Sequence, residues 1–527
     1  MRIQRRAVTV AVVKKASKSL RIAAAAIGFC AGATAAFAAS KVDARIFAGK
    51  AELEKASFLV VLRDQAELSG ADAIADPADR VRFVYESLRA QAELSQAALR
   101  ARLDADRVPY RSYFLVNMIE VEGDRRLAAA LAARLEVSSV APNSPFTPSP
   151  APREPEALTA EARILAATTV EPNVAKIGAP DVWARGFTGQ GIVIGMADTG
   201  VVWDHAALKT HYRGFDGVNV SHDYNWHDSV HDARATNPCG SSASAPCDDD
   251  GHGTSTAGLA VGDDGAGNQV GVAPGAKFIA CRNMDQGDGT PARYTECFQF
   301  FLAPTDHNGA NPRPDLAAHI ISNSWGCPDT EGCTDPNVLR AVVENVRAAG
   351  IFVAVAASND GPGCATVDIP GLYEASFSVG ATTLADGIAS FSSRGPITAD
   401  GSNRLKPDLC APGVGLRVAN KNGGYVGGFS GTSGSTPEVA GAVALLWSAA
   451  PALKGQVTST ADLLEATAVP LTSTQDCPPF PGSAVPNAVF GFGRLDIASA
   501  VALASPAARA TPSAPHRGHS PRVVPPR

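Results

Sequence analysis

Residues 191–200 read Gly-Ile-Val-Ile-Gly-Met-Ala-Asp-Thr-Gly, an apolar run that ends in an aspartate and a turn. The run predicts a buried strand over residues 192–197, with Asp198 at the carboxyl end of that strand. In open parallel sheets, active sites form at this end of the strands. The segment therefore predicts a parallel sheet with Asp198 at its functional edge, although an aspartate before glycine is also common in ordinary turns.

Apolar segments further along the chain alternate with helical patterns. Strands are predicted at residues 276–280, 319–322, 351–356 and 376–379, and helices at residues 290–303, 336–349 and 433–449. Such alternation is typical of a mostly parallel sheet with helices on both faces. We therefore predict a doubly wound α/β domain over residues 170–503.

A smaller α/β unit is predicted over residues 57–141. Its segments are a strand at 58–62, a helical pattern through Val81, Val84, Leu88 and Leu94, a strand at 113–121, a helix at 124–135 and a strand at 137–140. The order is close to the β-α-β-β-α-β arrangement of ferredoxin-like folds. The pattern does not divide residues 113–121 into the two strands that this arrangement needs.

The two ends and the linker differ from the rest in composition. Residues 1–38 combine basic residues, the apolar run 22–37 and the small-residue site Ala36-Phe37-Ala38, as in a secretory signal peptide. A membrane anchor is the alternative, but the run is short and rich in Ala and Gly. Residues 142–169 are a Pro-rich linker with an expected processing site, and residues 504–527 a disordered tail. We therefore expect a secreted protein, extracellular or periplasmic, without a membrane anchor.

The formal net charge is −6, and the span between the two basic ends is more acidic than this value suggests. An acidic surface argues against nucleic acid as a partner. Nine cysteines lie between Cys239 and Cys477, and disulfides are expected in an exported chain. Short separations favour Cys239 with Cys247 and Cys327 with Cys333. The other pairings stay open, and the odd number leaves one thiol unpaired.

Three further segments carry candidate chemistry. His252 lies between glycines in Asp250-Gly251-His252-Gly253-Thr254, where small residues let a backbone approach closely. Ser433 precedes an Ala-rich helix, whose free N–H groups can stabilise an oxyanion; a helix cap is the ordinary alternative. Asn359 follows a predicted strand and offers a second amide donor, unless it only forms a turn.

The motifs Asp-Thr-Gly, His-Gly-Thr and Gly-Thr-Ser-x-x-x-Pro occur in this order, with Ala-Ala-x-Asn before the last. Over about residues 174–503 this pattern resembles the subtilisin-like serine proteases. Residues 204–209, 224–226 and 302–305 are similar to the bacillopeptidase F branch of that family. Residues 57–141 resemble the family's inhibitory propeptide. The resemblance implies a self-processing zymogen that is a monomer, cleaves proteins or peptides and is inhibited by its own propeptide.

The resemblance also implies a role for each matching residue. Ser433 is the nucleophile, His252 transfers the proton and Asp198 orients the imidazole. Asn359 and the backbone N–H of Ser433 form the oxyanion hole. The segment Ser324-Trp325-Gly326 aligns the substrate as an added strand.

The sequence departs from the family pattern beside the nucleophile. Gly434 and Ser435 replace the usual Met-Ala, and Glu438 stands where His is usual. These changes could alter the bottom of the cleft or its pH response, although all four catalytic positions are intact.

Metal sites have weaker support. A metal could bind at His222, His227 and His231 with Asp228 and Asp232, although the surrounding Gly and Asn favour a solvated loop. Residues 248–250, three successive aspartates, could contribute to a structural calcium site, since such proteases often bind calcium. The triad chemistry requires no cofactor.

Two other functional classes agree less well with the sequence than a protease does. A binding protein on an inactive protease scaffold would normally lack a triad residue, and none is missing. A non-peptide acyl hydrolase of the α/β-hydrolase type has a Gly-x-Ser-x-Gly motif and the order Ser, Asp, His, which this chain contradicts.

Overall fold

The computed structural model describes residues 41–143 and 170–504. The predicted signal peptide, the linker beyond residue 143 and the tail beyond residue 504 lie outside the described residues. Within the described ranges, no helix combines the length and hydropathy needed to cross a membrane.

Residues 41–143, the amino-terminal unit, contain a four-stranded antiparallel sheet with the order β2-β3-β1-β4. Its elements are β1 Ala56–Leu62, α1 Pro77–Ala105, β2 Tyr110–Tyr113, β3 Met118–Gly123, α2 Arg125–Ala132 and β4 Val137–Pro142. The order along the chain is β-α-β-β-α-β. Helix α1 begins at Pro77 because Asp76 accepts hydrogen bonds from two free N–H groups of the first turn.

Two expectations for this unit were wrong in detail. Residues 113–121 are not one strand, because residues 114–117 form a turn between β2 and β3. The apolar side chains of that turn are buried against the rest of the protein, so they extended the strand pattern without belonging to a strand. Leu94, assigned to the buried face of α1, is 80% exposed.

Residues 170–504 are built around a seven-stranded sheet in which all pairs are parallel, with the order β13-β12-β11-β10-β5-β7-β6. Its strands are β5 Val193–Asp198, β6 Trp226–Asp228, β7 Lys277–Arg282, β10 Ile320–Asn323, β11 Phe352–Ala356, β12 Phe377–Thr382 and β13 Leu409–Pro412. Two hairpins pair β8 Met284–Asp285 with β9 Asp288–Gly289, and β14 Leu416–Ala419 with β15 Tyr425–Phe429. The predicted α/β fold class is confirmed.

Helices cover both faces of this sheet. They are α3 Pro172–Lys176, α4 Ala179–Trp183, α5 His252–Val261, α6 Pro291–Leu302, α7 Arg340–Ala348, α8 Thr432–Ala449, α9 Val457–Thr467 and α10 Ile497–Ala504. Neighbouring strand residues point to opposite faces, so Ile320 packs in the core under α8 and Ile321 in the core under α6 and α7. Both faces are buried, which explains why the strands read as continuous apolar runs. The helix predicted from residue 336 begins only at Arg340, after a turn.

Helix α8 is buried over nearly its whole length. Residues 432–447 are all buried. A Cβ on Gly441 would lie 2.7 Å from Cβ of Val272 and 2.9 Å from the carbonyl oxygen of Ala260. Because residue 441 has no side chain, α8 can lie close to α5.

The amino-terminal unit packs on α6 and α7. The turn between β2 and β3 is held by Gln299 of α6, whose Oε1 accepts from the N–H of Phe114 at 2.8 Å and of Leu115 at 3.3 Å. The side chain of Asn345 in α7 donates to the carbonyl of Leu115 at 2.6 Å. At the end of the unit, Asn143 accepts from the N–H of Ala292 in the first turn of α6.

Four disulfides join eight cysteines, as expected for an exported chain. The pairs Cys239–Cys247 and Cys327–Cys333 confirm the prediction from spacing. Two pairings that the sequence left open are Cys281–Cys297 and Cys364–Cys477. Among the cysteines of the described residues, Cys410 is unpaired, and it is buried.

We expect Gly441→Val to lower the free energy of unfolding by about 1–3 kcal/mol, because the added side chain overlaps Val272 and the α5 backbone. Urea unfolding of the Ser433→Ala protein, with and without the change, measures this difference. Gly363→Ala, in an exposed loop, is the control and should change stability by less than about 0.5 kcal/mol. Equal stability of both variants would contradict the close packing of α8.

Candidate active site

The three residues predicted to form a triad all begin or end elements at the carboxyl edge of the sheet. Asp198 is the last residue of β5, His252 the first of α5 and Ser433 the second of α8. Parallel strands end at one edge, and helices that follow them begin there. The fold therefore brings together residues that are far apart in the sequence.

Asp198 and His252 form a direct hydrogen bond. Oδ1 of Asp198 lies 2.8 Å from Nδ1 of His252 and also accepts from the N–H of Thr199, while its Oδ2 accepts from the hydroxyl of Thr256. The carboxylate is 2% exposed and so fixed by protein donors alone. A proton on Nδ1 leaves Nε2 as the atom that can accept a proton from another group.

The backbone around Asp198 and His252 has no room for a side chain at position 253. A Cβ on Gly253 would lie 2.0 Å from the carbonyl oxygen of Gly200 and 3.1 Å from Cβ of Asp198. The glycine after His252 therefore lets the start of α5 lie against the end of β5.

Asp248 is a positioning residue that the sequence analysis considered only as a calcium ligand. One of its oxygens accepts from the hydroxyl of Thr199 at 2.9 Å and from the N–H of Gly251 at 2.7 Å. The other accepts from the N–H of Thr254 at 2.9 Å. Asp248 thus connects the segment after Asp198 to the segment around His252, and its carboxylate is occupied by groups of the chain itself.

The pKa of His252 is raised. Burial disfavours the imidazolium and lowers the pKa, but the charge and hydrogen bond of Asp198 outweigh burial and raise it to about 9. Asp198 therefore stabilises the protonated form of the ring, which is the form that a general base must pass through.

Ser433 and Ser324 are joined by two hydrogen bonds. The Ser433 hydroxyl donates to the carbonyl of Ser324 at 2.9 Å, and the Ser324 hydroxyl donates to the carbonyl of Ser433 at 3.1 Å. That carbonyl lacks its helical partner because Pro437, four residues on, has no N–H. In this structure the Ser433 hydroxyl thus bonds to Ser324 and not to the ring of His252.

The side-chain amide of Asn359 and the backbone N–H of Ser433 lie close together at the start of α8. Oδ1 of Asn359 accepts from the N–H of Thr432 at 2.9 Å, which turns its NH2 group outward. Nδ2 of Asn359 and the backbone N of Ser433 lie 3.5 and 3.6 Å from the same point, the position that a Cβ on Gly431 would take. Because Ser433 is in the first turn of α8, its N–H has no helical acceptor. Both groups can therefore donate to one oxyanion.

The segment Ser324-Trp325-Gly326 follows β10 and borders the same edge. The indole N–H of Trp325 donates to the carbonyl of Ala197 at 3.0 Å, and its ring stacks on Tyr294 with centroids 3.8 Å apart. The segment is therefore rigidly held next to Ser433. All predicted site residues lie at this edge of the sheet.

The residues that depart from the family pattern have defined partners. The Ser435 hydroxyl donates to the carbonyl of Ala411 at 2.9 Å, which ties the first turn of α8 to β13. Glu438 is fully buried and accepts from the side chain of Asn173 at 2.7 Å. Burial raises the pKa of Glu438 well above its usual value, which favours the neutral carboxyl.

The histidines and aspartates of this segment do not share one centre but pair with separate partners. Nε2 of His227 and of His231 both contact Oε1 of Glu296, at 2.7 and 2.8 Å. Glu296 was not predicted; burial raises its pKa, but the two histidines outweigh burial and lower it to about 2. His222 contacts Tyr212, Asp228 pairs with Arg282 and Asp232 pairs with Arg293. Over residues 41–143 and 170–504, no group of three or more His, Cys, Asp or Glu has a geometry suited to a metal ion.

Comparison with known proteins gives several clear similarities. A model described as the subtilase family matches residues 189–493. Bacillopeptidase F of Bacillus subtilis is 35% identical over 444 residues, which are 79% of this chain and 28% of that protein. Serine protease AprX of Bacillus subtilis is 33% identical over 288 residues, 49% of this chain and 58% of that protein. Subtilisin of Bacillus pumilus is 30% identical over 312 residues, 58% of this chain and 94% of that protein.

The match therefore spans nearly all of the Bacillus pumilus subtilisin. It spans only 28% of the length of bacillopeptidase F and 58% of AprX.

We expect Asp198→Asn to lower the pKa of His252 from about 9 by about two units or more, because burial then acts without the compensating charge. NMR titration of labelled histidine in the Ser433→Ala protein measures this shift. Asp250→Asn, which removes a nearby charge but no ring hydrogen bond, should lower the pKa by less.

The same pKa predicts a dependence of stability on pH. A raised histidine pKa contributes stability that is complete below pH 6.5 and is lost as the pH rises through about 9. Thermal unfolding of Ser433→Ala should therefore show a loss of stability over this window, and the loss should be absent in the double variant with Asp198→Asn. The same loss in both proteins would show that His252 is not its source.

Proposed function

The chain belongs to the subtilase family, and we propose that it is a serine endopeptidase with Asp198, His252 and Ser433 as its catalytic triad. The observation that carries the proposal is the 2.8 Å hydrogen bond from His252 to buried Asp198, at the same edge of the sheet as Ser433. An amide side chain beside Ser433 supports acyl transfer as the reaction.

In the proposed mechanism, Oγ of Ser433 leaves the carbonyl of Ser324 and attacks the peptide carbonyl carbon, while Nε2 of His252 takes the hydroxyl proton. The imidazolium then gives this proton to the leaving amine, the peptide C–N bond breaks and an ester forms on Ser433. A water molecule, deprotonated by His252, attacks the ester; the bond to Oγ of Ser433 then breaks, the imidazolium returns the proton to Oγ, and the carboxylic acid is released. Asp198 stays ionised and holds the ring by its Nδ1 hydrogen.

Asn359 and the N–H of Ser433 would hold the oxyanion in both tetrahedral intermediates. Ser324, Trp325 and Gly326 would pair with the substrate backbone. No step needs a cofactor. Only the neutral imidazole accepts a proton, so we expect kcat/KM to rise with pH up to about the pKa of His252, near 9.

The proposal extends to a secreted zymogen that cleaves proteins or peptides and removes its own amino-terminal unit. The contacts of this unit with α6 and α7 support a role as an intramolecular inhibitor. The span between residues 143 and 170 is the proposed region of cleavage. Structural calcium stays a proposal: at residues 248–250, Asp248 is occupied by groups of the chain, and Oδ2 of Asp249 bonds to Asn237 and Arg282.

We expect the purified precursor to shorten by about its first 140–170 residues and to gain casein-cleaving activity, while Ser433→Ala does neither. Intact mass over time, with a serine-directed phosphonate added to a parallel sample, measures both changes. Identical behaviour of the two proteins would favour a binding protein on an inactive scaffold.

We expect Asn359→Ala to lower kcat by about 10²–10³-fold, the loss known for one such oxyanion donor in subtilisin, with little change in KM. Steady-state kinetics on a peptide anilide provide the measurement. Asn422→Ala, at an exposed turn, is the control and should leave both constants unchanged. A loss confined to KM would show that Asn359 binds substrate without stabilising the oxyanion.

A further inference from the structure

A carboxylate lies beside the substrate segment and has no role in the triad. Oδ2 of Asp368 lies 3.9 Å from the position that a Cβ on Gly326 would take. Its Oδ1 accepts from the N–H of Ile369 at 2.7 Å. This single bond fixes the carboxylate and leaves Oδ2 directed toward Gly326.

A second polar group points to the same place. The Ser358 hydroxyl lies 2.9 Å from that same position on Gly326. Ser358 is 9% exposed, and its Oγ has no hydrogen-bond partner among the described residues. Its backbone has φ +82°, a strained conformation for a residue other than glycine. A buried, unpartnered hydroxyl next to a carboxylate indicates that a polar ligand group completes this site.

The charges around Asp368 are all negative. Burial, together with the charges of Asp360 and Asp329, outweighs the hydrogen bond from Ile369 and raises the pKa of Asp368 to about 6. No lysine, arginine or histidine of the described residues forms an ion pair with Asp368. At pH 8 the carboxylate is therefore ionised and without a cationic partner, which is costly for a partly buried group.

The proposed reaction places one substrate side chain at this site. The peptide carbonyl must lie between Oγ of Ser433 and Nδ2 of Asn359, with the chain before it along Ser324-Trp325-Gly326. The side chain of the residue that supplies this carbonyl is then placed beside Gly326, on the side where the Ser358 hydroxyl lies. Oδ2 of Asp368 lies on the same side of Gly326, farther from it than the Ser358 hydroxyl.

We propose that Asp368 selects substrates with lysine or arginine immediately before the cleaved bond, with Ser358 accepting a hydrogen bond from the same cation. This inference rests on the proposed protease function and names its substrate class. A buried carboxylate gives a basic side chain the ion pair that an apolar side chain cannot form. Apolar and acidic residues are disfavoured because they leave Asp368 without a partner or beside a like charge.

The linker of this chain offers an internal comparison. Between residues 144 and 169 the only basic residues are Arg153 and Arg163. Pro155 follows Arg153 closely, whereas Arg163 is followed by Ile164 and Leu165. Self-processing by a protease with this selectivity should therefore cut after Arg163 and leave Ile164 as the new amino terminus.

The test measures kcat/KM at pH 8 on four matched p-nitroanilides, Ala-Ala-Pro-Xaa with Xaa as Arg, Lys, Phe or Glu. We expect the wild type to prefer Arg and Lys over Phe by at least about tenfold. Asp368→Asn should lower the Arg and Lys values by about 10–100-fold and change the Phe value by less than about threefold. Asp368→Glu, which keeps the charge, should retain the basic preference.

Asp329→Asn is the control, because Asp329 is exposed and carries the same charge without facing Gly326; it should change all values by less than about threefold.

Sequencing of the mature amino terminus is a second readout, expected to give Ile164. Active-site titration with a phosphonate and casein cleavage report separately on the proposed function. A protein that is titrated and cleaves casein, but prefers Phe and ignores Asp368→Asn, overturns the selectivity alone. A protein that is neither titrated nor active overturns both proposals.

Discussion

Helix α8 cannot move without disturbing the whole sheet, because residues 432–447 are buried on every side. Its proline at position 437 leaves the carbonyl of Ser433 without a helical donor, and Ser324 fills that vacancy at the end of β10. The helix and the central strand are therefore joined at Ser433, the residue that carries the proposed nucleophilic hydroxyl. The same helix start is capped by Asn359, so the predicted oxyanion donor is fixed by the element that it would serve.

A second set of hydrogen bonds fixes the other half of the site. Asp248 connects the end of β5 to the start of α5, and Asp198 orients the ring of His252. The loop that precedes Asp248 is closed by the Cys239–Cys247 disulfide and is held by Arg282, whose buried guanidinium pairs with Asp228 and Asp249. Acidic residues that could suggest metal binding thus stabilise a loop that contains few apolar side chains.

Local pattern predicted the fold well because strand and helix periodicity depends on neighbouring residues. The apolar runs of β5, β10 and β11 indicated strands buried on both faces, and the glycine-flanked motifs indicated residues that the fold brings to one edge of the sheet. Periodicity failed at the turn after Tyr113, because its apolar residues serve contacts between units and not a strand. Glu296 and Asp368 carried no signal either. Glu296 and Asp368 come close to the groups around them only after folding. Residue spacing along the chain therefore does not predict these contacts.

The amino-terminal unit contacts α6 and α7 through the turn at residues 114–117, which Gln299 and Asn345 hold, and through Asn143, which accepts a hydrogen bond from the first turn of α6. While the linker is intact, this contact is intramolecular. The effective concentration of the amino-terminal unit at its contact surface is then on the order of millimolar. Cutting the linker would make the association depend on protein concentration. For the proposed zymogen, dilution after export would then set the delay between cleavage and activity. A crowded compartment would keep the cleaved unit bound. An open medium would release it.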